Sequence, residues 1–162
     1  MQKQQKFVEL IKENESVIFK VTLVYAFNKE DQKDLYQEIV FQLWKSYNSF
    51  RGDAKISTWM YRIALNTAIT NLKNEKRNGN RVPIDDSLLS RIDQIDTLID
   101  DRLKILYSHI KKLNTVEKGI VLLYLEGKSY DEIAVITGFS ATNVGTRLNR
   151  IKNKLKSQIK NN

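Results

Sequence analysis

The chain has 162 residues and a mass of 18.9 kDa, enough for one ordinary domain or two small ones. Hydrophobic residues at 41% and charged residues at 28% are typical of a globular protein, while zero Cys and a single His exclude disulfides, thiol catalysis and metal sites built on thiolates or several histidines. The net charge of +8 favours a polyanion or an anionic surface as the partner.

The N-terminal half has the apolar periodicity of helices. One Pro, six Gly and no sustained alternation of apolar and polar residues argue against strands, so we predict an all-α protein. Asn28 and Gly52 are helix stop signals, and Ser57 precedes a helical run. We expect helices at 4–13, 15–27, 30–47 and 57–77.

No segment has the pattern of a membrane span or a signal peptide. The most apolar stretch, residues 17–27, is interrupted by Lys20 and Thr22 and is shorter than the roughly 18–20 residues that a span needs. The first fifteen residues lack an apolar core. We therefore expect a cytoplasmic protein that does not insert into a membrane.

The charge is unevenly distributed along the chain. Residues 1–80 carry a net charge of +4, residues 81–101 carry −4, and residues 102–162 carry +8. The acidic stretch contains the only proline, Pro83, just after the polar residues 78–81. We predict two small helical domains, 1–78 and 97–162, joined by a flexible acidic linker at 79–96.

The C-terminal third contains the most specific local pattern. Asn114 and Ser129 are each followed three residues later by Glu, the spacing of a capping box, and Gly138 precedes a new N-cap at Ser140. Together these signals predict a helix-turn-helix. We expect helices at 97–112, 115–126, 130–137 and 141–158.

The last predicted helix has two distinct faces. Val144, Leu148, Ile151 and Leu155 repeat at spacings of four, three and four and must face a core. The opposite face carries hydroxyl, amide and cationic groups that can bond base edges and phosphates in a major groove. Its members are Thr142, Thr146, Asn149 and Asn153, flanked by Gly145, Arg150 and Lys156. A helical hairpin that only packs is the alternative.

Two features of the first half have a structural and a functional interpretation. The helix that contains residues 34–44 leaves Asp34, Gln37, Glu38 and Gln42 on one polar face, and such a face is usually only solvated. The segment 47–56 mixes aromatic and cationic residues, a composition that suits stacking on unpaired bases. The alternative is that Trp44, Phe50 and Trp59 belong to the core.

Four motifs resemble those of extracytoplasmic-function sigma factors. They are Asp34-Leu-Tyr-Gln-Glu-Ile39, Phe50-Arg-Gly-Asp53, Thr58-Trp-Met-Tyr-Arg-Ile-Ala-Leu-Asn66, and Leu125-Glu-Gly-Lys-Ser-Tyr-Asp-Glu-Ile-Ala134 with Thr146-Arg-Leu-Asn-Arg150. The motifs occur in the family's order and spacing from about Phe7 to Lys156. The resemblance implies a reduced sigma factor that keeps domains two and four only.

The resemblance implies two functions for the first domain. Its polar helix face would dock on the clamp helices of the RNA polymerase β′ subunit through Asp34, Gln37, Glu38 and Gln42. The loop from Ser46 to Ile56 would capture a base flipped from the non-template strand of the minus-10 element, and the next helix would face the separating strands. The residues implied for this role are Tyr47, Asn48, Phe50, Arg51, Lys55, Arg62, Asn66 and Lys73.

The second domain would read the minus-35 element as duplex DNA. The residues implied are Thr142, Gly145, Thr146, Arg147, Asn149, Arg150 and Lys154. The implied partners are core RNA polymerase, through its β′ clamp helices and β flap, promoter DNA and an anti-sigma factor. The implied role is binding without catalysis, with no cofactor and no metal.

Two positions depart from the family pattern. At position 145 the family commonly has Lys or Arg, whereas this sequence has Gly. Two interpretations stay open: glycine would allow close approach of the DNA backbone, or the base contact would move to Thr146 and Asn149. Leu65 replaces a frequent basic residue.

Two other classes of protein stay open on sequence alone. A helix-turn-helix regulator that binds DNA without polymerase would explain residues 97–158 but not the motifs of the first half. An enzyme with acidic metal ligands would have to use pairs such as Asp85-Asp86 and Asp100-Asp101, which have no supporting His or phosphate-binding glycine loop.

Overall fold

The computed structural model describes residues 2–52, 55–73, 94 and 100–160. The chain divides into two compact units, Met1–Ile99 and Asp100–Asn162. Every regular element of the described ranges is helical, which confirms the predicted all-α class. Apart from Gln94, the predicted linker at 79–96 lies outside the described residues, so the domain bounds stay a prediction.

The N-terminal unit follows the predicted helices with small shifts at their ends. Residues 74–77 of the last predicted helix lie outside the described residues, and Ser57 falls inside the first turn of that helix instead of preceding it. The elements are α1 (Gln2–Glu13), α2 (Glu15–Tyr25), α3 (Lys29–Ser46), a 3-10 turn (Tyr47–Ser49) and α4 (Ile56–Lys73).

The junction of α2 and α3 corrects one detail of the sequence analysis. Helix α2 ends at Tyr25, two residues early, and Phe27 is 80% exposed. Asn28 begins α3 rather than ending α2, because its side-chain oxygen accepts a hydrogen bond from the backbone N–H of Asp31 at 2.8 Å.

The core of this unit lies between α2, α3 and α4, which pack against one another. Each contributes a large buried aromatic ring, from Phe19, Tyr36 and Tyr61. A buried polar contact also joins α2 to α3: the Gln32 amide donates to the Thr22 hydroxyl oxygen at 3.2 Å, and that hydroxyl donates to the Phe19 carbonyl at 2.7 Å. Because both polar groups are buried and satisfied, this contact favours one register of the two helices.

The C-terminal unit contains the predicted helix-turn-helix. Both capping boxes are present, at Asn114 with Glu117 and at Ser129 with Glu132. Asp100 accepts a hydrogen bond from the Arg102 backbone N–H at 2.8 Å, so this acidic residue caps the first helix of the unit. The elements are α5 (Asp101–Ile110), α6 (Thr115–Leu125), α7 (Tyr130–Thr137) and α8 (Ala141–Lys160).

Helix α8 is the element around which this unit packs. It contacts α5, α6 and α7, and its apolar side is buried, as are Ile120 of α6 and Ile133 of α7. At the turn before α8, Gly138 has φ 86°, a left-handed conformation that favours glycine. The turn therefore sets the direction in which α8 leaves α7, and with it the surface that α8 exposes.

Candidate nucleic-acid and polymerase interfaces

Helix α8 has a buried apolar face and an exposed polar face on opposite sides. The prediction that Val144, Leu148, Ile151 and Leu155 face the core is confirmed, since all four are buried. The Ser140 hydroxyl caps the helix by accepting from the Asn143 backbone N–H at 3.1 Å. The side chains of the opposite face are exposed: Thr142, Thr146, Asn149, Arg150 and Asn153. The chain therefore places hydroxyl, amide and guanidinium groups on one side of a single capped helix.

One edge of this exposed face is held by contacts within the unit. The Arg147 Nε donates to the Asn143 side-chain oxygen at 2.7 Å, and the guanidinium carbon lies 4.4 Å from the centroid of the Phe139 ring. Arg147 is thus half-buried and oriented before any partner binds. Its fixed charge is available at the edge of the face at a reduced entropy cost.

Lys154 has a partner that the sequence analysis missed. Its ammonium lies 2.8 Å from Oε2 of Glu117, the buried capping-box residue of α6. Burial raises the pKa of the Glu117 carboxyl, but hydrogen bonds from Lys154 and the Asn114 backbone N–H, with the charges of Lys154 and Arg147, outweigh that effect and lower the pKa. The carboxylate therefore stays ionised and ties α8 to the start of α6.

The other edge of the face contains Gly145. A Cβ atom built there would lie 3.3 Å from Cε2 and 3.6 Å from Cδ2 of the Tyr130 ring. Further along the same edge, the Lys152 ammonium lies 4.3 Å from the centroid of the Tyr124 ring. The neighbouring Tyr124 side chain is the main cause that raises the pKa of Lys152. Two tyrosines from other helices thus flank the predicted DNA face, and no sequence spacing pointed to them.

The predicted polymerase-binding residues of α3 differ in exposure. Asp34 is exposed and Gln37 is half-exposed, whereas Glu38 is only 9% exposed. The half-exposed Gln42 donates to the Glu38 Oε1 at 3.1 Å. Glu38 is therefore a buried hydrogen-bond partner of Gln42. The accessible part of the predicted surface consists of Asp34, Gln37 and Gln42.

The aromatic residues around the predicted base-capture segment pair with one another. The Tyr47 ring lies 5.3 Å from Phe7 and 6.4 Å from Trp44, and the Phe50 ring lies 4.8 Å from Trp59. Apart from the buried Phe7, these rings are half-exposed, so they belong neither fully to the core nor fully to the surface.

Exposed polar and cationic residues neighbour those aromatic pairs along the chain. Asn48, Arg51 and Lys55 are exposed beside them, and Arg62 and Asn66 lie exposed one turn apart on α4. Lys73 is the last residue of α4. Leu65, the residue that departs from the family pattern, is 5% exposed and faces the core, so it leaves the polar face of α4 intact.

Comparisons with known proteins decide what these two units are. The Sigma-70 region 2 family model matches residues 10–78, and the Sigma-70 region 4 model matches residues 103–155. The ECF RNA polymerase sigma-E factor of Haemophilus influenzae is 30% identical over 147 residues, covering 82% of this chain and 76% of that protein. The corresponding protein of Escherichia coli K12 is 29% identical over 144 residues, covering 80% and 74%.

The chain belongs to the extracytoplasmic-function sigma factor family. Solved structures of similar fold include CnrH in complex with the cytosolic domain of CnrY, with a TM-score of 0.68, 22% identity and coverage of 98% of this chain and 90% of that one. Another is the sigma factor RpoE in complex with the anti-sigma factor NepR from Bartonella quintana, with a TM-score of 0.65, 14% identity and coverage of 98% and 97%.

Membership of this sigma factor family decides between the functions that the sequence left open. The chain is an RNA polymerase sigma factor for promoter-specific initiation, and its partners are core RNA polymerase and promoter DNA. A regulator that binds DNA without polymerase is not favoured, because region 2 matches the half of the chain that such a protein would leave unexplained. In the part of the chain that the structure describes, no helix is both long and apolar enough to cross a membrane.

Proposed function

We propose that this sigma factor reads the minus-35 element as duplex DNA through α8. The observation that carries the proposal is the clean division of α8, in which the base-reading side chains are exposed while four apolar residues are buried behind them. Thr142, Thr146, Asn149 and Arg150 would meet base edges, and Gly145, which has no side chain, lies at the edge of this face. Arg147 and Lys154, each held by a neighbour, would lie nearer the phosphates and position the helix.

In the proposed mechanism, the N-terminal unit binds polymerase and opens the minus-10 element. The polymerase contact uses Asp34, Gln37 and Gln42, with Glu38 holding Gln42 in place. The aromatic pairs form half-exposed ring surfaces on which a flipped base can stack, which offsets the few kcal/mol that flipping costs. Around them, the residues proposed to contact DNA are Tyr47, Asn48, Phe50, Arg51, Lys55, Arg62, Asn66 and Lys73.

The proposed role is one of binding, and polymerase performs phosphoryl transfer with its own metal ions. The protein would act in the cytoplasm, where it would meet polymerase. An anti-sigma factor is a further proposed partner, supported by the complex of the structurally similar RpoE with NepR. Such a partner would hold the protein inactive by covering the polymerase-binding and DNA-binding faces.

Run-off transcription with purified bacterial core polymerase tests this proposal. The full chain added to core polymerase on genomic DNA should bind core and start transcription at a defined set of promoters. If it neither binds core nor directs initiation, the proposed function is wrong. Salt should weaken promoter binding strongly, because the phosphate contacts of a basic protein release counterions.

Paired variants separate the two proposed faces. Asp34→Ala with Gln37→Ala should weaken core binding, whereas Gln5→Ala with Glu9→Ala, an exposed pair on α1, should not. Arg150→Ala should reduce promoter binding without affecting core association. The control is Arg102→Ala, which removes the same charge from an exposed position on α5 and should leave promoter binding unchanged. A double variant on α3 that binds core normally would contradict the polymerase assignment.

A further inference from the structure

Gly145 lies inside α8, where glycine costs about 1 kcal/mol relative to alanine. In the described ranges, the glycines with positive φ are Gly52, Gly127 and Gly138, so left-handed backbone does not account for glycine at 145. The ring of Tyr130 supplies a reason: a Cβ at 145 would lie only 3.3 Å from Cε2, closer than ordinary van der Waals contact. Glycine therefore leaves the space in which this ring rests on α8.

Tyr130 belongs to α7, yet it lies at the edge of the DNA-facing surface of α8. At 100° per residue, Gly145 is within about 70° of the centre of the face formed by Thr142, Thr146 and Asn149. Tyr130 is 41% exposed, so its ring rests on the helix backbone without being buried beneath it.

We propose that Tyr130 is a specificity-determining residue of minus-35 reading, seated on Gly145 in the space that a side chain at 145 would fill. The inference rests on the proposed function, because it requires α8 to lie in the major groove. The phenol hydroxyl can donate to or accept from a base edge, and the ring can contact a thymine methyl group. The base contact at the Gly145 edge of α8 is then made by Tyr130 of α7, whose ring is positioned by its close approach to Gly145.

The test uses the full chain bound to core polymerase. Transcription starts mapped on genomic DNA define the upstream element for the wild-type protein. One strong promoter is then made with every single base-pair substitution in that element, and run-off yield is measured for wild type and for Tyr130→Phe, Tyr130→Ala and Val135→Ala. Val135 is exposed on α7 away from the proposed contact and serves as the matched control.

Tyr130→Phe should reduce discrimination about fivefold at one or two adjacent base pairs, as expected for one lost hydrogen bond, and leave the others unchanged. Tyr130→Ala should reduce it at least as much at the same positions, and Val135→Ala should have no effect. A uniform loss for all sequences would make Tyr130 a phosphate contact and would overturn the inference. Unchanged preferences in both tyrosine variants would also overturn it.

A second measurement tests whether a side chain at position 145 and the Tyr130 ring compete for the same space. In the Tyr130→Ala background, Gly145→Arg should create a new base preference at the affected position, because the ring no longer occupies the space. In the wild-type background the same substitution should lower run-off from the chosen promoter, because the new side chain and the ring compete. Equal behaviour in the two backgrounds would contradict the inference. If the wild-type protein yields no upstream element, the proposed function itself fails, and that outcome is distinct from an element that Tyr130 does not influence.

Discussion

The two units carry their proposed interfaces in different ways. In the C-terminal unit, α8 divides core from surface, and the proposed base-reading side chains have no part in the core. In the N-terminal unit, α3 packs against both α2 and α4, so its buried residues surround much of the helix and include polar Gln32 and Glu38. The same side chain can then serve the fold and the interface.

This difference determines what a substitution can reveal. Where core and contact residues are separate, a change at the surface reports on binding alone. Where they overlap, as for Glu38 or the ring pair of Phe50 and Trp59, loss of binding and loss of folding come together unless both are measured.

The largest expected effect comes from the core of the C-terminal unit. Leu148 is fully buried, and Leu148→Ala should cost about 2–5 kcal/mol, which is much of the stability of a small domain. Thermal unfolding followed by circular dichroism should show the loss, and the variant should still bind core polymerase through the other unit. Leu43→Ala, equally buried in α3, should instead abolish core binding. If both variants lose both functions, the units are not independent.

Glu38 should show the overlap of fold and interface in α3. Glu38→Ala removes the acceptor of the half-exposed Gln42 amide and should lower the free energy of unfolding by about 0.5–1.5 kcal/mol, with weaker core binding as well. Asp34→Ala, at an exposed position, should weaken core binding while changing stability by less than about 0.5 kcal/mol. Urea unfolding and a core-binding assay measure the two effects, and equal stability of both variants would contradict the assignment of Glu38 to the fold.

Patterns within a single helix could be predicted from sequence. The helices, both capping boxes, the turn at Gly138 and the division of α8 depend on spacing over a few residues. In the described ranges the structure confirms them, with shifts at helix ends: the helix predicted at 97–112 is observed at Asp101–Ile110. The end of α2 was missed because apolar Phe27 continues the pattern of the helix although the chain has already left it. Local hydrophobicity does not predict the residue at which α2 ends and the Asn28 cap of α3 begins.

Contacts between distant residues could not be predicted in the same way. Lys154 and Glu117 are 37 residues apart, and Gly145 and Tyr130 come from different helices. Neither pair has a spacing signal, because the contacts arise from how α6, α7 and α8 cross. The sequence placed Lys154 near phosphates and identified Gly145 as a departure from the family pattern, but only the packing supplies their partners.

Arg150 tests the separation of core and contact in α8. Arg150→Ala should lower promoter affinity about tenfold and relax preference at one base pair, while the melting temperature stays unchanged because the side chain is exposed. Arg147→Ala is the informative comparison: it also loses the Asn143 hydrogen bond and the Phe139 contact, so binding and stability should fall together. Binding to promoter variants and thermal melting measure both. A melting temperature lowered equally by the two changes would contradict the separation.

The smallest effect is expected for Lys154, whose side chain is 54% exposed and whose ion pair is therefore screened by solvent. Lys154→Met keeps most of the apolar stem and should cost at most about 1 kcal/mol at pH 7. Because the pKa of Glu117 is lowered in the folded protein, its contribution to stability is present above the ordinary value of 4.5 and is lost as the pH falls through the folded value. The melting temperatures of wild type and variant should thus differ measurably at pH 7. The difference should disappear at acid pH. A difference that persists when Glu117 is protonated would come from packing of the stem, and Lys154 would then resemble the overlapping residues of α3 more than its neighbours on α8.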